Sequence, residues 1–301
     1  MKDNLILPVL PKKRPDPRRN LTTKVDTVAV SIIVVTMNHL SKVSALLRSL
    51  TGNGRPGYSH EIIVIDNCSD DGTVEFIRKN YPAVIIHQNE AVRGFATNNN
   101  TGFILSKGDY IFICNPDIVV LPDAIDTLLD YYRRNPSTGI LCPQLLNSDL
   151  TYQSSVRRFH NLKILLLRAL SRGSDVAKFK AIENYLMKNF DKTLVQPVDW
   201  ALGAAMILRR DIYERLNGFD ENFFLYVEDV DLCLRSWRCG YEVIYNPSAV
   251  MIHDHRRESL KGVNKNLWYH IQSMAYFILK HNLILRSKIQ VQKNVLTLRV
   301  T

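Results

Sequence analysis

Three acidic residues fall within four positions of the sequence: Glu228, Asp229 and Asp231. They follow an aromatic-rich run, residues 223–226, and precede a segment with helical apolar spacing. Acids at a helix N-terminus complement the helix dipole, which accounts for one or two of them. Aromatic walls also raise the pKa of a carboxyl group and suit it to accept a proton. We therefore interpret the cluster as a candidate general-base site.

Polar side chains also follow four short apolar runs. They are Thr36 and Asn38, then Asp66, Asn67, Ser69 and Asp70, then Arg93, Gly94 and the polar residues up to Asn100, and last Asn115 and Asp117. Ligands of open parallel sheets gather where strands end. A pair such as Asp66 and Asn38 can read the edge of a nucleotide base, and a divalent ion on Asp117 can hold a diphosphate. Farther along, His253 and His255 are candidate metal ligands.

The elements that position these residues alternate between strands and helices. Apolar, β-branched runs predict strands at 31–36, 61–66, 84–87 and 109–114, and helical spacing predicts helices at 40–50, 72–80, 95–106 and 122–134. This alternation predicts an α/β fold with a mostly parallel sheet flanked by helices. Farther on we expect helices at 161–172, 211–216, 230–238 and 264–283, and strands at 242–245 and 249–252.

The composition and motifs of the sequence indicate which classes of binding partner to expect. The 301 residues carry a net charge of +10, which suits nucleic acid, a lipid surface or a phosphorylated substrate. The chain lacks zinc-ligand spacing and an RNA-binding aromatic signature, so we do not expect nucleic acid. It also lacks the glycine-rich dinucleotide and phosphate-loop motifs. Five cysteines without a CxxC pair predict reduced thiols and a cytoplasmic protein, and we find no signal peptide or membrane span.

Taken in order, these segments resemble family 2 glycosyltransferases with the GT-A fold. The resemblance covers residues 30 to 256 and rests on segments 34–38, 64–73, 93–96, 115–117, 198–200, 218–221 and 228–232. The Asn-Pro-Asp form at 115–117 and the Phe-Phe-x-Tyr-x-Glu-Asp-Val-Asp-Leu run are most similar to the bacterial rhamnosyltransferase-type branch, which builds O-antigen and other cell-surface polysaccharides. Asn115 replaces the acid that begins the metal motif in the family, which leaves one metal ligand fewer.

The resemblance implies a role for each matched residue. Asp229 is the catalytic base with Glu228 beside it, and Asp117 and His253 bind a divalent metal, Mn²⁺ or Mg²⁺, with His255 as the alternative ligand. The implied nucleotide-binding residues are Thr36, Asn38, Asp66, Asn67, Ser69, Arg93, Gly94 and Asn115. The implied acceptor-binding residues are Trp200, Gly203, Tyr226 and Asp231.

The implied reaction is inverting transfer of a sugar, rhamnose or a similar hexose, from a nucleotide-diphosphate donor such as dTDP-rhamnose or a UDP-sugar. The implied acceptor is a saccharide on a polyprenyl diphosphate. We expect a basic leader at 1–28, a catalytic domain at 29–256 with nucleotide and acceptor halves meeting near 120, and a helical extension at 257–301. The alternative is a catalytically silent GT-A domain that acts as a binding or scaffold module.

The expected acceptor stays in the membrane, so we expect the protein to attach to the cytoplasmic face of the bacterial inner membrane. Two basic, apolar segments suit the headgroup boundary: 162–172, and 267–285 with Trp268 and Tyr269. The alternative is that both pack on the domain as core helices.

Overall fold

The computed structural model describes residues 27–160, 164, 165, 167, 179–254 and 265–282. Most of the predicted basic leader and of the 161–172 helix lies outside these residues. So do His255 and segments 257–264 and 283–301 of the predicted extension. None of the helices in the described ranges is both long and apolar enough to cross a bilayer. All five cysteines lie within these ranges, and none forms a disulfide.

Four parallel strands build the first half of the sheet, as the sequence predicts. They are β1 (Val30–Thr36), β2 (His60–Asp66), β3 (Ile85–Gln88) and β4 (Tyr110–Cys114). β1 lies between β2 and β4, and β3 pairs with the outer side of β2. Alternate residues of β1 face opposite sides: Ile33 joins one core cluster, and Ile32 and Val34 join the other. A β-branched run buried on both faces explains this central strand.

Three helices connect these four strands: α1 (Leu40–Thr51), α2 (Thr73–Asn80) and α3 (Phe95–Leu105). A fourth helix, α4 (Ala124–Arg134), follows later in the chain, after β4. α1 buries Val43, Leu46, Leu47 and Leu50 completely, at the spacing that predicts it. Burying one such side chain stabilises the fold by about 1.5–3 kcal/mol, so packing on the sheet, more than local propensity, forms the helix.

The second half of the sheet is mixed. Within the described residues nine strands form one sheet in the order β3-β2-β1-β4-β10-β6-β11-β5, with β8 also on β11. The remaining members are β5 (Ile118–Val120), β6 (Thr138–Leu146), β8 (Gln196–Pro197), β10 (Ala205–Arg209) and β11 (Glu242–His253). β10 runs antiparallel to both β4 and β6, and β11 runs parallel to β6. This order brings the ends of β1, β2 and β4 next to segments from the second half.

Two expectations about strands need correction. β6 is a central strand that our periodicity analysis does not predict, because Pro143 interrupts its apolar run. The predicted strands at 242–245 and 249–252 are one strand, β11, whose register shifts between Asn246 and Val250. Pro143 lies opposite Asn246, at the edge of that shift. A proline donates no ladder hydrogen bond, and a bulge absorbs the loss.

Smaller elements complete the site. A two-stranded sheet pairs β7 (Val156–Arg157) with β9 (Trp200–Ala201). The short helices are α5 (Lys180–Tyr185) and α6 (Arg210–Arg215). α7 (Glu228–Arg238) carries the acid cluster in its first turn, and α8 (Lys265–Lys280) is the predicted C-terminal helix. Phe277 of α8 is fully buried in the same core cluster as β9 and α7, so α8 belongs to the folded domain.

Candidate active site

Thr36 and Asp66 end neighbouring parallel strands and are register partners. Both are buried, at 1% and 0% exposure. One oxygen of Asp66 accepts a hydrogen bond from the Ser69 N–H at 3.0 Å. Its other oxygen, Oδ1, and the Thr36 hydroxyl are buried without a hydrogen-bond partner among the described residues. Buried polar atoms are nearly always paired, so these two are suited to a polar ligand such as a nucleoside.

The other residues at these strand ends brace the loops. The Asn38 N–H donates to Ser69 Oγ at 2.9 Å, and Asn38 Oδ1 accepts from the Asp70 N–H at 2.8 Å. Asn67 holds the Arg93 loop: its Nδ2 donates to the Arg93 carbonyl at 3.0 Å, and its Oδ1 accepts from the Arg93 N–H at 2.9 Å. These hydrogen bonds fix Asn38 and Asn67 in the loops at the strand ends, and their contact with a nucleotide stays a prediction.

Gly94 joins this region to the acid cluster. A Cβ built on Gly94 would lie 2.7 Å from the carbonyl oxygen of Phe224, closer than real Cβ contacts allow. The next residue, Phe95, donates its N–H to that same carbonyl at 2.8 Å. The absent side chain therefore lets the Arg93 loop approach the segment that leads into α7.

Asp117 and His253 form the candidate metal site. His253 is buried, and its Nε2 faces Asp117 Oδ1 at 3.3 Å. Its other ring nitrogen, Nδ1, lies 2.7 Å from Gln153 Oε1. The Gln153 amide donates through Nε2 to Asn147 Oδ1 and to the His253 carbonyl, which turns Oε1 toward the ring. In neutral His253, Nδ1 therefore carries the proton and Nε2 presents its lone pair toward Asp117.

This donor set fits a divalent ion shared with a substrate. An imidazole nitrogen and a carboxylate suit Mn²⁺, and Mg²⁺ is commonly held by one carboxylate together with substrate phosphates. In the part of the chain that the structure describes, no group of three or more His, Cys, Asp or Glu is arranged to hold a metal. Lys42 Nζ lies 3.4 Å from Asp117 Oδ2 and balances part of the carboxylate charge. Asn115 lies at the end of β4, two residues before Asp117.

The two acids at the start of α7, Glu228 and Asp229, lie in different environments. Burial, and then the neighbouring Asp229 carboxylate, raise the pKa of Glu228 well above its usual range. Burial also raises the pKa of Asp229, but the N–H groups of Gly203 and Val230 and the charge of Arg157 oppose that shift. Gly203 donates to Asp229 Oδ2 at 2.9 Å and Val230 to Oδ1 at 2.8 Å. Asp229 is therefore the carboxyl that ionises more readily and is available as a base, and Glu228 is the one that holds a proton more readily.

The backbone before this pair is strained. Tyr226 and Val227 both have φ of 70°. This left-handed conformation is uncommon for any residue with a side chain and is an outlier for β-branched valine. Such residues cost about 1–3 kcal/mol each and persist where the surroundings hold them. The strain lies directly next to Glu228 and Asp229.

The residues predicted to bind the acceptor divide into two groups. Gly203 contacts Asp229 directly, and Tyr226 lies two residues before Glu228. Trp200 is buried, and its indole N–H donates to the Arg158 carbonyl at 2.8 Å, so its side chain is held within the fold. Asp231 does not fit the prediction, because it is fully buried and ion-paired with Arg235. We therefore withdraw Asp231 from the acceptor-binding set.

Two residues of this region were missing from our sequence analysis. Gln153 orients His253, as described above. Arg157 lies opposite Trp200 in the β7–β9 pair, with its guanidinium 5.4 Å from the indole ring centroid, and it lowers the pKa of Asp229. For Arg157, the only signal in the sequence was the basic pair at 157–158. Basic pairs are common on protein surfaces, so this pair did not indicate a site residue.

Two hydrogen bonds join the metal motif to the acid pair. The Asn115 N–H donates to the Ala204 carbonyl at 2.8 Å. Gly203, the preceding residue, donates to Asp229. The Asn-Pro-Asp segment and Asp229 are thereby fixed to the same short piece of chain. A candidate nucleoside site, a candidate cation site and a candidate base thus share one edge of the sheet.

A family model covers the strand ends that carry Thr36, Asp66 and Asp117. The model for glycosyl transferase family 2 matches residues 31–216, more than half of the chain. The chain belongs to glycosyl transferase family 2. In this glycosyltransferase the acid pair, Glu228 and Asp229, lies in α7 and His253 lies in β11, both C-terminal to the matched segment.

Curated relatives extend over more of the chain. The N-acetylglucosaminyl-diphospho-decaprenol L-rhamnosyltransferase of Mycobacterium tuberculosis is 28% identical over 264 residues, covering 84% of each chain. The rhamnosyltransferase WbbL of Escherichia coli K12 is 28% identical over 263 residues, covering 85% of this chain and 94% of WbbL.

Solved structures agree on the fold. GalNAc-T7, in a structure with UDP, GalNAc and Mn²⁺, has a TM-score of 0.61 at 17% identity over 84% of this chain and 48% of its own. A mannosyltransferase of Pyrobaculum calidifontis, with GDP-mannose and Mn²⁺, has a TM-score of 0.58 at 18% identity over 84% of this chain and 65% of its own. The predicted GT-A fold is confirmed, and so is the prediction of a glycosyltransferase.

Proposed function

We propose that this glycosyltransferase transfers L-rhamnose from a nucleotide-diphosphate donor to a saccharide carried on a polyprenyl diphosphate, in cell-surface polysaccharide synthesis. The M. tuberculosis and E. coli relatives are both rhamnosyltransferases, which supports the sugar, and the former acts on a diphospho-decaprenol acceptor, which supports the lipid-linked acceptor. In the structure, the observation that best supports a transfer reaction is the short connection from Asn115 through Ala204 and Gly203 to Asp229. It holds a donor-side motif and a base at a fixed separation.

In this proposal Thr36 and Asp66 contact the nucleoside, since the Thr36 hydroxyl and Asp66 Oδ1 are buried and have no partner among the described residues. Asp117 and His253 hold a divalent cation, Mn²⁺ or Mg²⁺, with the donor diphosphate. When bound, the cation neutralises the charge that develops on the departing diphosphate. Arg93 is the proposed additional cation on the phosphate side.

Asp229 accepts the proton of the acceptor hydroxyl as that oxygen bonds to the anomeric carbon. The bond from this carbon to the diphosphate oxygen breaks, and its electron pair leaves with the nucleoside diphosphate. Attack from the face opposite the leaving group inverts the anomeric configuration. Burial and the Asp229 charge raise the pKa of Glu228, which disfavours a second negative charge beside the base.

A donor and acceptor panel tests the proposal. The protein is incubated with dTDP-rhamnose, UDP-GlcNAc, UDP-galactose and GDP-mannose, each with a short-chain GlcNAc-diphospholipid, in Mn²⁺ and in EDTA. We expect transfer from dTDP-rhamnose in Mn²⁺, and product NMR should show the inverted anomer. Transfer from another donor alone would contradict the rhamnosyl assignment. Donor binding without turnover of any donor would favour the silent scaffold instead.

We further propose that the protein works on the cytoplasmic face of a bacterial inner membrane as a peripheral protein. A polyprenyl-linked acceptor stays in the bilayer, so the enzyme must approach the lipid surface. The net charge of +10 supports attraction to anionic headgroups. Salt that screens this attraction should release the protein from membranes.

A further inference from the structure

The C-terminal helix α8 supports the catalytic segment from outside the region matched by the family model. Ser273 Oγ donates to the Leu225 carbonyl at 2.9 Å, and the rings of Tyr269 and Phe224 lie 4.4 Å apart between centroids. Phe224 is the residue whose carbonyl receives the Phe95 N–H. One face of α8 therefore contacts the same residues that link the donor loop to the acid pair.

Ion pairs and a hydrogen bond also connect the C-terminal end of α8 to α7. Lys280 Nζ lies 2.6 Å from Asp231 Oδ1 and 2.6 Å from Asp220 Oδ2. His281 Nε2 lies 2.8 Å from the same Asp231 oxygen. Asp231 lies two residues after the candidate base. These contacts orient α8 relative to the active site.

The opposite face of α8 is apolar and exposed. Trp268, Ile271 and Leu279 have 58%, 54% and 68% of their surface exposed. At 100° per residue their directions fall within about 80° of one another, so they form one stripe. Large exposed apolar residues that share one face indicate a contact surface, whereas scattered ones do not.

The charge of this part of the sequence indicates what the stripe contacts. Residues 265–301 contain six Lys and Arg residues and no Asp or Glu, out of a net charge of +10 for the whole chain. A stretch of sequence that combines apolar side chains, a tryptophan and cations without acids is typical of segments that bind the boundary between headgroups and acyl chains of an anionic bilayer. Lys280 is paired with Asp220 and Asp231, so the charge available to lipid comes from the other five cations. A protein partner would not require charge of a single sign.

We propose that α8 docks this enzyme on an anionic lipid bilayer through Trp268, Ile271 and Leu279, while its buried face holds the catalytic segment. The inference rests on the proposed function only for the identity of the acceptor. Docking through the helix that supports residues 224–229 holds the acid pair at a fixed orientation relative to the lipid surface. A membrane-embedded acceptor then reaches Asp229 without leaving the bilayer.

Flotation with vesicles tests the docking surface directly. The full chain is mixed with phosphatidylcholine and phosphatidylglycerol vesicles at a 3:1 ratio, in 50 mM and 500 mM NaCl. We expect binding at low salt and release at high salt, because salt screens the cationic contribution. Trp268 → Ser combined with Leu279→Ser should lower the vesicle partition coefficient by about 10- to 100-fold. Ile104→Ser on α3, where Ile104 is 79% exposed, is the matched control and should bind as wild type.

Tryptophan fluorescence adds an independent readout. The chain has three tryptophans, of which Trp200 and Trp237 are 4% exposed. Emission should shift to the blue on vesicle addition, and Trp268→Phe should abolish the shift. Wild-type protein that fails to bind at low salt, or a double variant that binds as well as wild type, would overturn the proposal. Urea unfolding of the variants checks that each one folds.

Acceptor assays separate this inference from the proposed function. With a water-soluble short-chain acceptor, the Trp268 and Leu279 double variant should transfer within about twofold of wild type. With an acceptor embedded in vesicles, its apparent KM should rise at least about 10-fold. Equal losses with both acceptors would overturn docking as the role of the stripe. Absence of transfer by wild type with every donor and acceptor would instead reject the proposed function, whatever the vesicle result.

Discussion

Asp231→Asn tests the buried ion-pair network between α7 and α8. Burial alone would raise the pKa of Asp231, but the hydrogen bond from His281 and the charges of Arg235 and Lys280 outweigh it and lower the pKa to about 2. A drop from the ordinary value of 3.8 corresponds to roughly 2.4 kcal/mol of native-state stabilisation, at about 1.36 kcal/mol per unit. Asp231 is fully buried, so solvent does not screen this contribution.

Removing one partner of a buried pair also leaves the other charges less well compensated. We therefore expect Asp231→Asn to lower the free energy of unfolding by about 2–4 kcal/mol at pH 7. Because the folded pKa is depressed, the stabilisation is complete above the unfolded value of 3.8 and is lost as pH falls toward 2. By pH 3 about half of the 2.4 kcal/mol should remain.

Urea unfolding followed by circular dichroism at pH 7, 5 and 3 measures this difference. Asp211→Asn is the matched control, since Asp211 pairs with Arg209 at the surface with its side chain 65% exposed. We expect the control to lose less than about 1 kcal/mol at pH 7. A loss for Asp231→Asn no larger than the control's, or a loss that does not shrink between pH 5 and 3, would refute this reasoning.

Three further substitutions test the site. Asp117→Ala should weaken donor binding in Mn²⁺ but change it little in EDTA by calorimetry, and equal weakening in both would argue against a metal role. Arg157→Met removes a cation that lowers the pKa of Asp229, so the acidic limb of the kcat/KM profile should move to higher pH. The matched variant Arg158→Met, which loses an exposed pair with Asp199, should leave that limb in place, and identical profiles would contradict the Arg157 assignment. Gly94→Ala should lower kcat by at least about 10-fold through displacement of residues 224–229, and unchanged turnover would show that the close approach is not needed.

The first half of the fold was predictable from the sequence because its signals are local. The buried run at 31–36 and the spacing of Val43, Leu46, Leu47 and Leu50 each specify an element without reference to the rest of the chain. β6 was not predictable in this way, since Pro143 is tolerated only because of the register shift in β11, about a hundred residues away in the sequence.

The candidate site likewise contains residues that local sequence signals predict and residues whose roles depend on distant parts of the chain. Asp66 ends a buried strand and Asp229 lies in the first turn of an amphipathic helix, so local sequence patterns identified both as candidates. The buried carboxylate of Asp231 is paired with Lys280 and His281, about fifty residues later in the chain. No local sequence pattern indicates that pairing. Gln153 was likewise invisible, because its role depends on the ring of His253, one hundred residues farther along the chain.

The most direct test of the account compares Asp229→Asn with Glu228→Gln in the donor-saturated transfer assay. Asp229 is the proposed base, so its replacement should keep donor binding and lower transfer by about 10²–10⁴-fold. The raised pKa of Glu228 favours its neutral form, so the neutral glutamine should keep transfer within about 10-fold of wild type. Near-normal transfer by Asp229→Asn, or an equal collapse in Glu228→Gln, would contradict the assignment of Asp229 as the base.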